Sequence, residues 1–248
     1  MLSINFAKIK VLSYFMLLVI ATCIILFYFY KKNSIQTVNN IPTNKTVQDD
    51  ESINTTTESG IKTFKIVAFG DSFTSGSYVE AKDNYPSILE NILNKNPKMR
   101  FKVINMGIPG ETSAGGLDRI DSILEQKSDL VLLELGGNDM EQNIDVNIAK
   151  NNLDTILKKF KDNNQKVIIL GLDTVDYYGL EYKNNFDAVF LDLSKKYNLL
   201  LVPSFLAGVR KVEKYNTADG EHPNKAGYEK IVLENIMPIL EKYLSKNI

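Results

Sequence analysis

The chain has 248 residues, of which 44% are apolar and 24% are charged, a composition ordinary for a globular protein. Its formal net charge of −1 provides no bulk attraction to nucleic acid, so we expect no nucleic-acid partner. A single cysteine and a single histidine exclude an intramolecular disulfide and any metal centre built on several cysteines or histidines, which leaves open only a carboxylate site for a hard cation.

The N-terminal segment contains an uncharged run of twenty residues, from Val11 to Tyr30. As a helix rising about 1.5 Å per residue, this run reaches roughly 30 Å, the thickness of the hydrocarbon core of a bilayer. Lys31 and Lys32 follow it and suit the boundary between membrane and water. We therefore predict a transmembrane helix at about residues 11–30, within a membrane anchor that spans residues 1–32.

Two other kinds of N-terminal segment compete with a retained anchor. A cleaved secretory signal usually has an apolar stretch of about 7–15 residues and a small-residue cleavage site, and neither is found here. A lipoprotein signal would end before Cys23, but the residues after Cys23 are strongly apolar. Lysines flank both ends of the run, and the free N-terminal amine favours a cytoplasmic N-terminus. This orientation predicts that the large domain lies outside the cytoplasm.

Residues 33–63 are rich in Asn, Thr, Ser, Asp and Gln and have no amphipathic period. Such a composition buries too little apolar surface to offset the entropy lost on ordering. We predict a flexible polar linker there, followed by one catalytic domain at residues 64–248.

Short apolar runs and longer amphipathic stretches alternate from residue 64 onward. The runs predicted as strands are Phe64–Phe69, Phe101–Asn105, Leu130–Leu135, Lys166–Leu172 and Leu199–Val202. The stretches predicted as helices are Pro86–Asn94, Ser113–Gln126, Val146–Lys161, Tyr182–Lys196 and Lys225–Lys242. This alternation predicts an α/β fold with a parallel sheet that is covered by helices on both faces.

Polar, glycine-rich loops follow three of the predicted strands. Residues 70–72 read GDS, residues 106–112 read MGIPGET and residues 136–139 read GGND. Because the carboxyl ends of parallel strands meet at one edge of a sheet, we expect these loops to lie together. A fourth segment, DGEHP at residues 219–223, precedes the last predicted helix.

These segments contain the groups needed for acyl transfer. A serine hydroxyl such as that of Ser72 becomes nucleophilic when a base accepts its proton, and His222 is the only imidazole in the chain. Asp219 lies three residues before His222 and is a candidate to orient it. The backbone N–H groups of Ser72 and Gly110 and the side-chain amide of Asn138 are candidate oxyanion donors. Taken singly, each residue also fits an ordinary helix cap, loop or turn.

The four segments occur in the order and spacing of the SGNH, or GDSL-type, hydrolases, and the chain resembles that family from about residue 64 to its end. The residues of these segments resemble those of one branch of the family, the bacterial thioesterase/lysophospholipases and arylesterases. The resemblance implies a flavodoxin-like three-layer α/β/α sandwich with a mostly five-stranded parallel sheet. It also implies a catalytic triad of Ser72, Asp219 and His222 and an oxyanion hole formed by Ser72, Gly110 and Asn138. Phe73 departs from the leucine of the family name and should mainly affect packing.

The predicted function is hydrolysis of acyl esters, acyl thioesters or lysophospholipids, with no cofactor and no metal. The loop at residues 173–179 resembles the substrate-contacting loop of the thioesterase branch, and Tyr177 and Tyr178 are candidates to flank an acyl chain. Asp71 and Asp139 are interpreted as residues that order their loops through hydrogen bonds. The alternatives are an O-acetylesterase acting on cell-envelope carbohydrate, an inactive anchored binding module and a metal-dependent phosphoesterase.

Overall fold

The computed structural model of the protein describes residues 62–173 and 179–247. Within these ranges, no helix combines the length and the apolar character needed to cross a bilayer. The predicted anchor, nearly all of the predicted linker, and both Tyr177 and Tyr178 lie outside the described residues.

The described residues form a five-stranded sheet in which every pair of neighbouring strands is parallel. The strands are β1 (Thr63–Gly70), β2 (Arg100–Gly107), β3 (Leu130–Glu134), β4 (Val167–Leu170) and β5 (Leu200–Val202). Their spatial order is β2-β1-β3-β4-β5, which is the flavodoxin-like order. The predicted five-stranded parallel sheet is therefore confirmed.

Helices cover the sheet in two groups that pack among themselves. The first group comprises α3 (Ser113–Asp118), α4 (Ile120–Leu124), α5 (Gly137–Glu141), α6 (Val146–Asp162) and α7 (Leu180–Tyr197). The second comprises α2 (Tyr85–Leu93), α8 (Lys225–Lys230), a π-helical segment (Ile231–Ile236) and α9 (Met237–Asn247). One short helix, α1 (Ser72–Ser75), follows β1 directly and contacts β1 and β2. Two helical groups around a sheet with fully buried central strands make a three-layer α/β/α fold.

Two of the predicted helices differ from the structure in more than the exact position of their ends. The stretch predicted as one helix from Ser113 to Gln126 is broken at Arg119, whose φ of −108° and ψ of 13° are not helical. This break lets the Arg119 side chain reach the C=O of Met106, a contact that apolar periodicity does not encode. The last helical stretch extends beyond Lys242 and contains a π-helical segment at Ile231–Ile236.

The register of the sheet brings three strand ends to the same level. Gly70 at the end of β1 pairs with Gly107 at the end of β2 and with Glu134 at the end of β3. The loops that leave these three strands therefore start side by side. β3 is buried along its whole length, as is β4, so the site rests on a closely packed layer.

Candidate active site

Ser72 is the first residue of helix α1 and follows the end of β1 after one intervening residue. That residue, Asp71, is the N-cap, and its Oδ1 accepts a hydrogen bond from the N–H of Phe73 at 3.0 Å. As the first residue of a helix, Ser72 has a backbone N–H with no acceptor in its own helix. The sharp change from strand to helix therefore presents both the hydroxyl and the N–H of Ser72 at the edge of the sheet.

The turn before Ser72 depends on the absence of a side chain at Gly70. A Cβ atom at this position would lie 2.1 Å from Thr74 Oγ1 and 2.3 Å from the C=O of Glu134. The Oε2 atom of Glu134 would also be only 2.6 Å away. Glycine is required here because β3 and helix α1 approach the backbone too closely for any other residue.

Asp219 and His222 belong to one short loop held by its own hydrogen bonds. The N–H of Thr217 donates to the C=O of His222 at 2.8 Å, and Gly220 takes a positive φ of 75° at the turn. Asp219 Oδ1 accepts from the N–H groups of Glu221 and His222 and from Thr217 Oγ1, at 2.7–3.0 Å. These bonds order the loop independently of its contact with Ser72.

The imidazole of His222 connects Asp219 with Ser72. Its Nδ1 lies 2.7 Å from Asp219 Oδ2, and its Nε2 lies 2.9 Å from Ser72 Oγ, although Ser72 and His222 are 150 residues apart in the chain. Burial acts to raise the pKa of Asp219, but the hydrogen bonds that it accepts outweigh this effect and hold its pKa well below the usual range. This chain of contacts allows the imidazole to accept a proton from the hydroxyl, while the ionised carboxylate stabilises the resulting imidazolium.

Gly110 lies in a tight turn after β2. The N–H of Glu111 donates to the C=O of Ile108 at 3.1 Å, and Gly110 has a φ of +80°. With Pro109 before it, this is the residue pattern of a type II turn, in which glycine takes the left-handed position. The turn thus fixes the orientation of its peptide groups, which is the property required of a preorganised oxyanion donor.

Asn138 lies in helix α5, and its amide makes two hydrogen bonds within the protein. Nδ2 donates to Asp71 Oδ2 at 3.1 Å and to the C=O of Glu111 at 3.0 Å. The amide therefore bridges the loop after β1 and the loop after β2. Both amide hydrogens have protein acceptors in this structure, so donation to an oxyanion requires that one of these bonds be shared or exchanged. Catalytic hydrogen bonds commonly reach their final geometry only when substrate is bound.

Beneath Ser72 lies a pair of buried carboxyls, one of which our sequence analysis missed. Asp71 and Glu134 are both fully buried. Burial raises the pKa of Asp71 to about 7, and burial together with the nearby Asp71 charge raises that of Glu134 well above its usual range. Glu134 Oε2 accepts from Thr74 Oγ1 at 2.8 Å, whereas Oε1 has no hydrogen-bond partner among the described residues. The available clue in the sequence was the charged residue at the end of the apolar run LVLLE. Ionisable groups are rare in buried strands, and one that occurs there usually has a role other than packing.

Two further contacts hold the loop that contains Gly110. Arg119 forms an ion pair with Glu111 and donates to the C=O of Met106 at 2.7 Å. Asp139 is fully buried and accepts from the N–H of Ser113 at 2.7 Å and from its hydroxyl at 2.5 Å. Asp139 thus links the GGND segment to the start of helix α3, in agreement with its interpretation as a loop-ordering residue. The role of Arg119 was missed because it lies inside a predicted helix.

Two aromatic rings lie beside the imidazole of His222. The ring centroids of Phe73 and Tyr78 lie 5.2 Å and 5.0 Å from that of His222. Phe73 is buried in the core as expected, but Tyr78 is exposed and was not predicted. Among the described residues, no group of three or more His, Cys, Asp or Glu side chains is placed to hold a metal ion.

Comparison with known proteins identifies the family. The model of the GDSL-like lipase/acylhydrolase family matches residues 68–230, well over half of the chain. The chain belongs to this family. All five residues that were expected to act in catalysis, Ser72, Gly110, Asn138, Asp219 and His222, lie within the matched segment.

Bacterial proteins of established name are similar to most of the chain. Esterase TesA of Pseudomonas aeruginosa is 33% identical over 180 residues, which cover 72% of this chain and 89% of the esterase. Thioesterase 1/protease 1/lysophospholipase L1 of Escherichia coli is 30% identical over 161 residues, which cover 64% of this chain and 76% of that enzyme. The crystal structure of TesA matches with a TM-score of 0.68 and 32% identity and covers 72% of this chain and 98% of that chain. The GDSL-family fold predicted from the sequence is thus confirmed.

Proposed function

We propose that the protein is a serine esterase in which Ser72 is the nucleophile, His222 the general base and Asp219 the residue that orients His222. The observation that carries the proposal is the pair of contacts of the imidazole, 2.9 Å to Ser72 Oγ and 2.7 Å to Asp219 Oδ2. Both distances are within hydrogen-bonding range. Membership of a family of ester hydrolases supports the same reaction.

In the first half of the proposed reaction, Ser72 Oγ attacks the ester carbonyl while His222 Nε2 takes the hydroxyl proton. The carbonyl oxygen becomes negatively charged and accepts hydrogen bonds from the N–H groups of Ser72 and Gly110 and from the Asn138 amide. The bond to the leaving group then breaks, and the imidazolium returns its proton to the leaving oxygen or sulfur. The product of this half is an acyl ester of Ser72 and a free alcohol or thiol.

In the second half, a water molecule takes the place of the leaving group. His222 Nε2 removes a proton from the water as its oxygen attacks the acyl carbonyl, and the same donors hold the oxyanion. The bond to Ser72 Oγ breaks, and the imidazolium returns the proton to this oxygen. The enzyme is regenerated and a carboxylic acid is released, with no cofactor needed to balance the reaction.

The proposed substrates are short- to medium-chain acyl esters, acyl thioesters or lysophospholipids. The names of the similar proteins, an esterase and a thioesterase/lysophospholipase, support this range of leaving groups. A panel of acyl esters of increasing chain length, acyl-CoAs, lysophospholipids and acetylated xylan or peptidoglycan tests the assignment. The highest kcat/KM on the acetylated glycans would assign the enzyme to carbohydrate O-acetyl groups instead.

The mechanism is tested with Ser72→Ala and His222→Ala in p-nitrophenyl acetate hydrolysis. Each variant should lose nearly all activity while keeping its thermal midpoint, because neither side chain belongs to the core. Ser87→Ala is the matched control, since the Ser87 hydroxyl donates only to the C=O of Ala81 on the surface. A fluorophosphonate should label the wild type and the Ser87 variant but not the Ser72 variant. Hydrolysis that persists in the Ser72 variant would reject the mechanism.

We further propose that residues 1–32 anchor the enzyme in a membrane and that the catalytic domain works outside the cytoplasm. The uncharged run from Val11 to Tyr30 supports an anchor, and residues 33–63 have the composition of a tether. Carbonate extraction of membranes from cells that express the full chain tests the anchor, and a chain that lacks residues 1–32 is the control. Release of the full chain by carbonate would contradict it. Protease protection of intact spheroplasts then tests the side on which the domain lies.

A further inference from the structure

Tyr78 has a backbone conformation that aromatic residues rarely adopt. Its φ is +67°, in the left-handed region, where the Cβ atom crowds the following carbonyl. Of the six non-glycine residues with positive φ in the described part of the chain, three are Asn and two are Lys, and Tyr78 is the aromatic one. Strained backbone of this kind is concentrated at active sites and ligand-binding segments.

Burial of the ring does not explain why a tyrosine is kept at this position. The side chain is a large hydrophobic group, and the residue is 74% exposed. It therefore gains little from packing that would offset the cost of its backbone conformation. Neighbouring contacts fix the turn independently of the ring, since the N–H of Ser77 donates to the C=O of Ser72 at 3.1 Å and that of Val79 to Gly76 at 3.3 Å.

The ring of Tyr78 lies beside the imidazole of His222. The two ring centroids are 5.0 Å apart, and the rings meet edge to face at an angle of 62°. Residue 78 follows the nucleophile helix Ser72–Ser75 after only two residues. The exposed surface of the ring is thus open to solvent next to the imidazole that transfers protons in the proposed reaction.

The chemistry of acyl transfer indicates which part of a substrate lies there. His222 Nε2 returns its proton to the leaving oxygen, so the leaving group must be next to the imidazole. The carbonyl oxygen faces the separate donors on Ser72, Gly110 and Asn138. A ring that contacts the imidazole consequently borders the leaving group.

We propose that Tyr78 is a specificity-determining residue whose exposed ring packs against an aromatic leaving group, so that the enzyme prefers aryl esters to alkyl esters of the same acid. This inference rests on the proposed function and names the alcohol side of its substrate. Two aromatic rings in an offset or edge-to-face contact contribute stabilisation beyond that of buried area, which corresponds to a preference of about two- to tenfold.

The test compares phenyl butyrate with ethyl butyrate in the wild type, Tyr78→Phe and Tyr78→Ala. Both esters form the same acyl-enzyme, and kcat/KM reports on acylation, in which the leaving group is still present. We expect Tyr78→Ala to lower the phenyl-to-ethyl ratio of kcat/KM about fivefold, within the range for an aromatic pair. Tyr78→Phe should keep the ratio. The control Leu233→Ala, which removes another large exposed side chain, should leave it unchanged.

An equal loss on both esters, or no loss on either, would overturn the proposal. Thermal midpoints separate this role from a structural one. Tyr78→Gly removes the ring and also relieves the unfavourable backbone conformation. It should therefore lose the preference for the phenyl ester without a decrease in its thermal midpoint. A lowered midpoint together with an equal loss on both esters would mean that the ring serves packing. Failure of the proposed function has a different signature: both esters would then still be hydrolysed by Ser72→Ala.

Discussion

The backbone N–H of Asp71 donates to Glu134 Oε2 at 3.4 Å, which joins two fully buried carboxyl residues, the first of which immediately precedes Ser72. The pKa of both carboxyls is raised in the folded protein, mainly by burial, and that of Asp71 reaches about 7 from an ordinary value of 3.8. A raised carboxyl pKa means that the folded state binds more protons than the unfolded state. The stabilising contribution of such a carboxyl is complete below its pKa in the unfolded state and is lost as the pH rises through its pKa in the folded state.

We therefore expect the free energy of unfolding of the wild type to fall between about pH 4 and pH 7, and Glu134→Gln to flatten this slope. Glutamine keeps the shape of Glu134 but removes one titration and the like charge next to Asp71. Urea unfolding at pH 5 and pH 8 should show that the free energy of unfolding falls less in the variant than in the wild type. Glu125→Gln, at an exposed carboxylate, is the control and should keep the wild-type slope. Parallel curves for wild type and Glu134→Gln would contradict the prediction.

Asp219→Asn should lower kcat by about 10³- to 10⁴-fold, because a neutral amide no longer stabilises the imidazolium or selects its tautomer. Asparagine retains one oxygen for the bonds that Asp219 Oδ1 accepts within its loop. The domain should thus stay folded, as circular dichroism and thermal melting can verify. Asp192→Asn removes a carboxylate from an exposed pair with Lys150 and should leave kcat unaltered. A loss below tenfold would show that Asp219 is dispensable for orienting His222.

Arg119→Ala should destabilise the fold and slow catalysis together. The Glu111 side chain is only 6% exposed, and loss of its Arg119 partner leaves a nearly buried carboxylate uncompensated. Breaking such a pair costs about 3 kcal/mol of unfolding free energy. The loop that carries Gly110 also loses the bond to Met106, so kcat should fall at least tenfold, towards the loss of 10²-fold or more expected for one oxyanion donor.

The double variant Arg119→Ala/Glu111→Gln separates these two effects. Removing the uncompensated charge of Glu111 should restore part of the stability, whereas the slower turnover should remain because the bond from Arg119 to Met106 is still missing. Urea unfolding and kcat measurements on the two single variants and the double variant complete the cycle. Equal stability of Arg119→Ala and the wild type would mean that the ion pair does not hold the loop.

Gly70→Ala should be among the most damaging small substitutions in the domain. Its Cβ would meet Thr74 Oγ1, the backbone of Glu134 and the Glu134 carboxyl at 2.1–2.6 Å, and the backbone atom cannot move aside cheaply. We expect a loss of at least about 1–3 kcal/mol in unfolding free energy, as for an overpacked core. Gly220→Ala is the matched control, because a Cβ there meets nothing within 4 Å and only its φ of +75° is unfavourable. Similar losses in the two variants would show that close contact at Gly70 is unimportant.

The sheet was predictable because its signal is local. The strands β1, β3 and β4 contain continuous apolar runs, and the predicted bounds of β1 and β3 lie within one residue of the observed ones. The two short helices, Ser72–Ser75 and Gly137–Glu141, were not predicted because four or five residues are too few to show a helical period. Their positions are set instead by strand ends and caps.

The motif residues were predictable from chemistry and resemblance, but their supports were not. Glu134 and Arg119 act through contacts with residues distant in sequence, and no periodic pattern marks such pairs. Tyr78 was missed because a positive φ on a non-glycine residue leaves no trace in the sequence. The two hydrogen bonds of Asn138 likewise depend on how three loops meet, which no local pattern in the sequence encodes.

The separation of 150 residues between Ser72 and His222 also has a consequence for synthesis of the protein. A ribosome releases the serine long before the segment that contains the imidazole, and the intervening length includes every strand of the sheet after the first. The nascent chain therefore carries an inert serine throughout most of its synthesis. The proposed triad can form only after the loop at residues 217–223 has been synthesised and has reached the edge of the sheet.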